Sequence, residues 1–506
     1  MKAEVDAVDL DIKTNQIENV VDFDEALSKL GISFVFPVAE CDLRLTTQHK
    51  GIISSISSIG IIVSSHMWGF LADTKGRKNV IIPTLVLSFI ASLLSSLSTN
   101  FTLLVVFRFF SGFFVAGSSA TIYAYLGEFH SSKNRSMVLM GASFIYGVAC
   151  NYMPILGFLV LNRTFHYRIP ILNIDFKPWR FYLLSCGLPS LLCAIVLLFL
   201  PESPKFIFSK GDEEETLNIL KRIYKINNPK STSDYNVTRV VEDLEFIEND
   251  SKEIRNVSKN PFMMLWNQTS LLFSKNNIKK TVLICLMQCM LFGSCHGLYM
   301  FFPEIVDKIT SYSNQFPSER ATICEVLLIE NELTLNVTKY AVALKNVQAC
   351  SEIFEVSTFG HSLVMELLYM FGFLIITFII NRISKLTILT MISFGCGGFG
   401  FATQIVTLPI LSIYFYVLFM LTFLAVNVIN ATTIDLFPTN LRGMAINLAM
   451  MFGRIGSVLG TNMVGTMLDQ YCKSTFALSA GLMVLSGVLA FFIPKIRRID
   501  GRKNTN

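Results

Sequence analysis

Seven side chains that hydrogen-bond or titrate stand inside stretches otherwise fit only for lipid: Arg108, His296, Tyr299, Glu366, Asn427, Asn430 and Arg454. An ionisable group at membrane depth is expensive unless it faces protein or water, so such groups mark a solute or ion path by default. Arg108 and Glu366 each stand about two turns into their apolar runs, and Arg454 about three turns into its own. Arg454 and Glu366 carry opposite charge and can pair across the C-terminal half of the chain. His296 and Tyr299, three residues apart, share one helical face; with Asn427 and Asn430 they add polar lining. The set is suited to ionic and hydrogen-bonded recognition of a small polar or charged organic solute, with or without a coupling ion. The competing readings are structural pairing or snorkelling for the charged groups, and interhelical glue for a lone histidine.

A second group lies on short connections. In "GFLADTKGRKNV" (Gly69–Val80), Asp73 ends one apolar run and Arg77 opens the next, while Glu128 ends a later run. These three can form a small ionic network at a helix edge. Desolvation offsets most of its Coulombic gain, so its use would be to favour one packing of the two halves over another, made and broken as they rock: a latch. Gly69 and Gly76 would allow close approach of helices and turn. The plainer reading is that such charges only fix topology.

The same chemistry recurs. "DTKGRK" (Asp73–Lys78) returns loosely as "NRISKL" (Asn381–Leu386), 308 positions later, and "EFHSSKNR" (Glu128–Arg135) returns as "DLFPTNLR" (Asp435–Arg442), 307 later. In both copies of the second motif an acid precedes an arginine by seven residues: Glu128 and Arg135, then Asp435 and Arg442. Any cytosolic loop holds acids and bases, but two motifs at one offset indicate a duplicated helical unit, as in many secondary transporters.

Other chemistries are turned down. "GCGGFG" (Gly395–Gly400) has the spacing of a dinucleotide fingerprint but sits in an apolar run with no strand before it, so it reads as close helix packing. The eleven cysteines show no metal spacing. Cys324 and Cys350 share one polar segment and can form a disulfide in an oxidising compartment. No nucleophile–base pair or phosphate loop is present. No enzyme, cofactor or metal is expected.

These side chains need long helices to hold them. The 506-residue chain is 52% hydrophobic and 16% charged, with a mean hydropathy of +0.52; soluble domains carry about 25% charge. Apolar runs at 51–72, 80–98, 102–126, 137–161, 181–200, 281–302, 360–380, 386–406, 409–434, 443–467 and 475–493 approach or exceed the ~20 residues that cross a bilayer. That gives eleven full spans. In lipid, only a helix closes the backbone hydrogen bonds of such a run.

Lys and Arg set the orientation. The connections 73–79, 130–136, 201–280 and 381–385, with Arg442 and the tail from Lys495, are basic and read as cytosolic. The segment 303–359 holds more acids than bases, carries the sequon at Asn336 and reads as outer, so Asn336 is the expected glycan site. The sequons at Asn236, Asn256 and Asn267 fall on the cytosolic side. Loop 162–180 breaks the rule with Arg163, Arg168, Lys177 and Arg180 on the outer side. No basic stripe lies outside the membrane-flanking loops, so no nucleic-acid partner is expected. The start of the chain lacks the pattern of a signal peptide.

The organisation follows: an acidic N-terminal segment 1–50, an N-terminal helical half 51–200, a cytosolic linker 201–280, a C-terminal half 281–493 that includes outer loop 303–359, and a basic tail 494–506.

The loop motifs resemble those of the major facilitator superfamily: "GFLADTKGRK" its signature between the second and third helices, "RFFSG" (Arg108–Gly112) its fourth-helix motif, and "PESPKFIFSKG" (Pro201–Gly211) the motif after the sixth. "SSHMWGFLADTKGRK", "ATIYAYLGEFH" and "DLFPTNLRG" resemble the synaptic vesicle glycoprotein 2-like group, related to organic ion and sugar transporters. The likeness runs from Asp22 to Arg498. It implies an all-α membrane protein of the major facilitator fold, two six-helix halves related by an internal repeat, monomeric, in a plasma or vesicle membrane. The implied activity is secondary active transport by alternating access. A non-transporting vesicle-membrane regulator on the same fold, or an inactive truncated isoform, stays open. One departure stands out: members have a full first helix, whereas here "GISFVFPVA" (Gly31–Ala39) is about half a span. A partial insertion buried against the other helices is the expectation for it.

Overall fold

A computed structural model of the chain describes residues 30–129, 135–170, 174–227, 237, 239–240, 270–275, 277–329, 354–380, 382–437 and 439–494. Its elements in chain order are a 3-10 turn at Gly31–Phe34, then α1 (Phe36–Leu43), α2 (Thr47–Lys75), α3 (Arg77–Ser96), α4 (Phe101–Phe129) and α5 (Arg135–Val160). A hairpin of β1 (Tyr167–Ile169) and β2 (Ile174–Phe176) leads to α6 (Pro178–Leu198), α7 (Pro204–Ser209) and α8 (Glu213–Asn227). The second half holds α9 (Ile278–Gln315), α10 (Val356–Ile379), α11 (Lys385–Ala402), α12 (Pro409–Met420), α13 (Phe423–Leu436), α14 (Thr439–Met467) and α15 (Cys472–Ala490).

Every expected span has its helix, with 409–434 divided between α12 and α13. Ten described stretches are long and apolar enough to cross a membrane, and α5 adds the shorter apolar stretch Gly147–Val160. Local signals set the starts. Thr46 caps α2 by accepting from the His49 amide at 3.2 Å, while His49 Nδ1 accepts from the Thr46 amide. Pro178 and Pro409 open α6 and α12, where a missing N–H costs nothing.

Small residues bring the helices together, because apolar surface gains little by leaving lipid and backbones must approach closely. In the N-terminal half, a Cβ on Gly112 of α4 would lie 2.0 Å from the Ser57 carbonyl of α2. In the C-terminal half, one on Gly456 of α14 would lie 2.1 Å from the Cys289 carbonyl of α9. Of the glycines in "GCGGFG", Gly397 and Gly400 do pack against α15, whereas Gly395 and Gly398 have open space. Gly69 likewise meets nothing within 4 Å, so the close approach expected there is absent. The halves touch where α2 crosses α14 at Gly51 and Gly465, and where α5 meets α10 at Gly147 and Met370.

The short first segment is buried. Ile32, Phe34, Val35 and Phe36 are at most 5% exposed. Phe34 lies near Tyr182 of α6 and stacks on Phe359 of α10, and Phe36 lies against Phe301 of α9. It therefore wedges between the halves. Asp42 at its outer end accepts from Lys177 Nζ at 2.6 Å and Trp179 Nε1 at 2.8 Å.

Those contacts explain the basic outer loop. Arg180 donates to the carbonyls of Ser96 and Ser98 at the end of α3, at 2.9 and 2.7 Å, and stacks on Trp179. Arg168 stands opposite Asp175 in the hairpin register. Lys177 and Arg180 thus serve local acceptors, a structural use for two of the four bases of loop 162–180.

Two expectations are corrected. Helix α9 runs past 302 to Gln315, because Glu304, Asp307 and Lys308 find partners there. Cys324 is bonded to Cys472, with Cα atoms 5.6 Å apart, not to Cys350. The cause is the helical stretch 323–329, which buries Ile323 and Cys324 against the start of α15. Cys350 lies outside the described residues, as do Asn236, Asn256, Asn267 and Asn336.

Candidate functional site

Six of the seven polar side chains singled out inside the spans converge on one cavity of about 150 Å³ between α5 and the C-terminal half. His296 and Tyr299 come from α9, Glu366 from α10, Asn427 and Asn430 from α13, and Arg454 from α14. Periodicity makes this possible: His296 and Tyr299 are one turn apart, and Glu366 and Tyr369 repeat the spacing on α10. Leu30, Gly147 and Cys150 close the N-terminal side.

Tyr299 donates its hydroxyl to Glu366, a residue only 3% exposed. Tyr369 donates to the Met420 carbonyl at the break between α12 and α13, where Thr422 and Leu421 leave the helical ladder. Phe292, Phe373 and Phe423 complete an aromatic collar, with Phe423 edge-on to both Phe292 and Tyr369. Arg454 donates to Ser65 of α2 at 3.4 Å and so reaches across to the other half. No Arg454–Glu366 ion pair forms among the described residues; both groups face one cavity, and the acid takes the phenol instead. The cavity thus offers one carboxyl, one guanidinium, amides and ring faces. Gln288 was missed by sequence reasoning, though a lone amide in an apolar run was the available signal. It donates to Asn430 Oδ1 at 3.2 Å and fixes that amide.

Arg108 does not join them. It is 2% exposed within the N-terminal half, and its Nε and Nη2 find no hydrogen-bond partner among the described residues.

At the end of the bundle read as cytosolic from its basic connections, Arg77 Nη2 lies 3.2 Å from Asp73 and 3.1 Å from Glu128. Asp73 is largely exposed, so Glu128 is the stronger partner. Two further residues complete the network without having been foreseen. Glu202, from the "PESPK" motif, accepts from the Arg77 and Lys78 amides at 3.1 Å, placing a carboxylate on the positive end of α3. Phe206 carries the Arg77 guanidinium 5.1 Å above its ring. Gly76 has φ +105°, and a Cβ there would lie 2.4 Å from Glu202, so both conformation and space demand glycine. In the second half Lys385 Nζ bonds Asp435 at 2.7 Å. Lys385 is Arg77 shifted by 308 and Asp435 is Glu128 shifted by 307, so the repeat reproduces the pair itself. Arg135 and Arg442 stand in the first turns of α5 and α14, and their side chains lie outside the described residues.

Comparison with known proteins agrees with this architecture. The family model described as "Sugar (and other) transporter" matches residues 24–496. Synaptic vesicle glycoprotein 2B of Rattus norvegicus is 29% identical over 199 residues, 39% of this chain and 29% of the relative. The putative metabolite transport protein YncC of Bacillus subtilis is 33% identical over 188 residues, 36% of this chain and 37% of the relative. The matches thus span about a third of the length of these relatives. Among solved structures, the inward-open xylose transporter XylE from E. coli superposes with a TM-score of 0.66 at 13% identity, covering 96% of this chain and 97% of that one. A bacterial homologue of the human lysosomal transporter Spinster gives 0.58 at 11%, covering 95% and 94%. With nearly all of its length matched by the family model, the chain belongs to the sugar (and other) transporter family of the major facilitator superfamily and is a multi-pass integral membrane protein.

Proposed function

We propose that the chain is a secondary active transporter that moves a small polar or charged organic solute by alternating access. One observation carries the reading: Glu366 and Arg454, both costly at membrane depth, face a single cavity lined by amides and aromatic rings. A solute with hydrogen-bonding or charged groups is the natural occupant of such a lining. The glycine-mediated contacts of α2 with α14 and of α5 with α10 supply two seams about which the halves can rock. Each of the Arg77–Glu128 and Lys385–Asp435 pairs lies within one half, so neither latches one half to the other as expected; each holds the helices of its own half together while the halves move.

The test is uptake by proteoliposomes of a panel of sugars, amino acids, organic cations and organic anions, with and without an imposed proton or sodium gradient. Uptake of one class should fall about tenfold or more in Glu366→Gln and in Arg454→Ala, since each removes a charged contact. A folded chain that accumulates no member of the panel would refute transport and fit a binding or regulatory role on the same fold.

A further inference from the structure

Lys50 is the most deeply buried cation among the described residues, 1% exposed at the outer end of α2. Its ammonium lies 2.7 Å from Glu304 Oε1 on α9, in the opposite half, and 2.8 Å from Glu40 Oε2 on α1. Lys308, one turn beyond Glu304, adds a contact at 3.5 Å. Glu304 is itself buried, whereas Glu40 reaches solvent. The neighbouring residue, Gly51, lets the backbone of α2 approach Gly465 of α14: a Cβ on Gly51 would lie 3.2 Å from the Gly465 Cα. An ionic contact and a backbone contact thus shut the same outer edge between the halves.

We infer that the Lys50–Glu304 pair is the outer gate of the solute path, closed in this structure, with the short α1 as its plug. Three observations support a gate over a permanent rivet. First, the pair spans the two halves, unlike the cytosolic pairs, each of which lies within one half. Second, Glu304 stands five residues beyond Tyr299 on α9, about 8 Å further along the axis, so the bond lies at a level outside that of the cavity. Third, Pro303 precedes it inside the helix and removes one backbone hydrogen bond, a place for the outer arm of α9 to bend.

The energetics fit a contact that opens. A buried ion pair is close to neutral overall, because rehydrating both charges returns most of what the contact supplies. An apolar seam of the same area would lack that return. Removing one partner is different, since it leaves the other buried charge without its nearest counter-ion. That asymmetry makes the gate testable.

The inference rests on the alternating-access reading proposed above, yet its test reads accessibility and not uptake. Cys150 and Cys295 line the cavity outside any disulfide, and Cys193, also outside any disulfide, lies in the N-terminal core away from it. The full chain in intact cells is treated from outside with a charged, membrane-impermeant methanethiosulfonate, and modification of each cysteine is followed by peptide mass. Wild type should label slowly at all three. Lys50→Met removes the bond from Glu304 to the N-terminal half, leaving the carboxylate to Lys308 on its own helix, and should speed labelling of Cys150 and Cys295 about tenfold or more. The double variant Lys50→Met with Glu304→Met, which can close as an apolar contact, should return labelling towards wild type. Unchanged cavity labelling in Lys50→Met would overturn the gate. So would a double variant that labels as fast as the single one. Labelling that appears equally at Cys193 would mean loss of the fold, making the pair a structural rivet.

Discussion

The two halves of this molecule repeat one plan with unequal means. Each sets a cation at the start of one helix against an acid at the end of another, at 3.1 Å for Arg77–Glu128 and 2.7 Å for Lys385–Asp435. The N-terminal pair is the more buried, with side chains 16% and 13% exposed against 26% and 37%. Its arginine also does more, bonding Asp73 and covering Phe206, while Lys385 adds only the Ala431 carbonyl. A planar fork can hold two acids and stack on a ring; an ammonium is a point charge. In the spans the imbalance reverses. The C-terminal half begins with the 38-residue α9, which brings His296 and Tyr299 to the cavity. The N-terminal half begins with the 3-10 turn and α1, Gly31–Leu43, and contributes to the cavity mainly Leu30, Gly147 and Cys150. One half has the stronger latch and the other nearly all of the chemistry.

The sharpest way to break that comparison is to remove the inequality in the spans. Inserting about twenty apolar residues at Leu30–Gly31 would give the N-terminal half a full first helix. Uptake in the proteoliposome assay should rise about tenfold or more, because a half-length wall leaves the polar groups of the path less well positioned. Melting temperature should rise with it. Equal uptake and equal stability would mean that the short segment, buried as it is, already does the work of a helix.

A smaller effect separates the latches. Arg77→Glu sets a third carboxylate beside Asp73 and Glu128, and should cost about 2–4 kcal/mol as a half-buried pair is broken. Lys385→Glu, in the more exposed pair, should cost about 0.5–1 kcal/mol. Denaturation of the purified protein in detergent checks both. Adding Glu128→Arg to the first variant should restore part of the loss, and adding Asp435→Lys to the second should restore little. Strictly additive losses in the first pair would end the idea that Arg77 and Glu128 act as one unit.

How far the sequence carried these points depended on the kind of signal. The spans were legible because lipid tolerates only one backbone solution for an apolar run, and the helices fall where the runs do. The Arg77–Glu128 contact followed from charges at helix ends, and its copy from the repeat offset. Convergence of Glu366, Tyr299 and Arg454 was legible as a list of groups that lipid would not accept. What escaped was long-range pairing. Lys50 and Glu304 lie 254 residues apart, and a cation at a helix start reads from sequence only as an orientation mark. Cys324 was assigned to the nearer cysteine because separation along the chain was the only distance available, whereas the helical stretch 323–329 carries it to Cys472. Glu202 was visible within a motif, yet nothing local told that it would accept from the start of α3.

The smallest effect concerns neither stability nor rate but the direction in which both halves face. The basic connections put Arg77 and Lys385 in the cytosol and the Lys50–Glu304 edge outside. The connection from α9 to α10 contains the sequon at Asn336, and that from α8 to α9 contains Asn256. Since α9 crosses the membrane, the two connections must lie on opposite sides, so only one sequon can meet the glycosylation machinery of the lumen. Charge chooses which: the connection with Asn256 belongs to the basic face, and that with Asn336 follows an outer end held by Glu304 and Asp307. Asn336→Gln should therefore shift the band on a gel by the mass of one glycan, with Asn256→Gln leaving it unchanged and neither altering the melting temperature by more than a degree or so. Sugar on Asn256 would invert the molecule, turning the Lys50–Glu304 edge to the cytosol and the two latches to the outside.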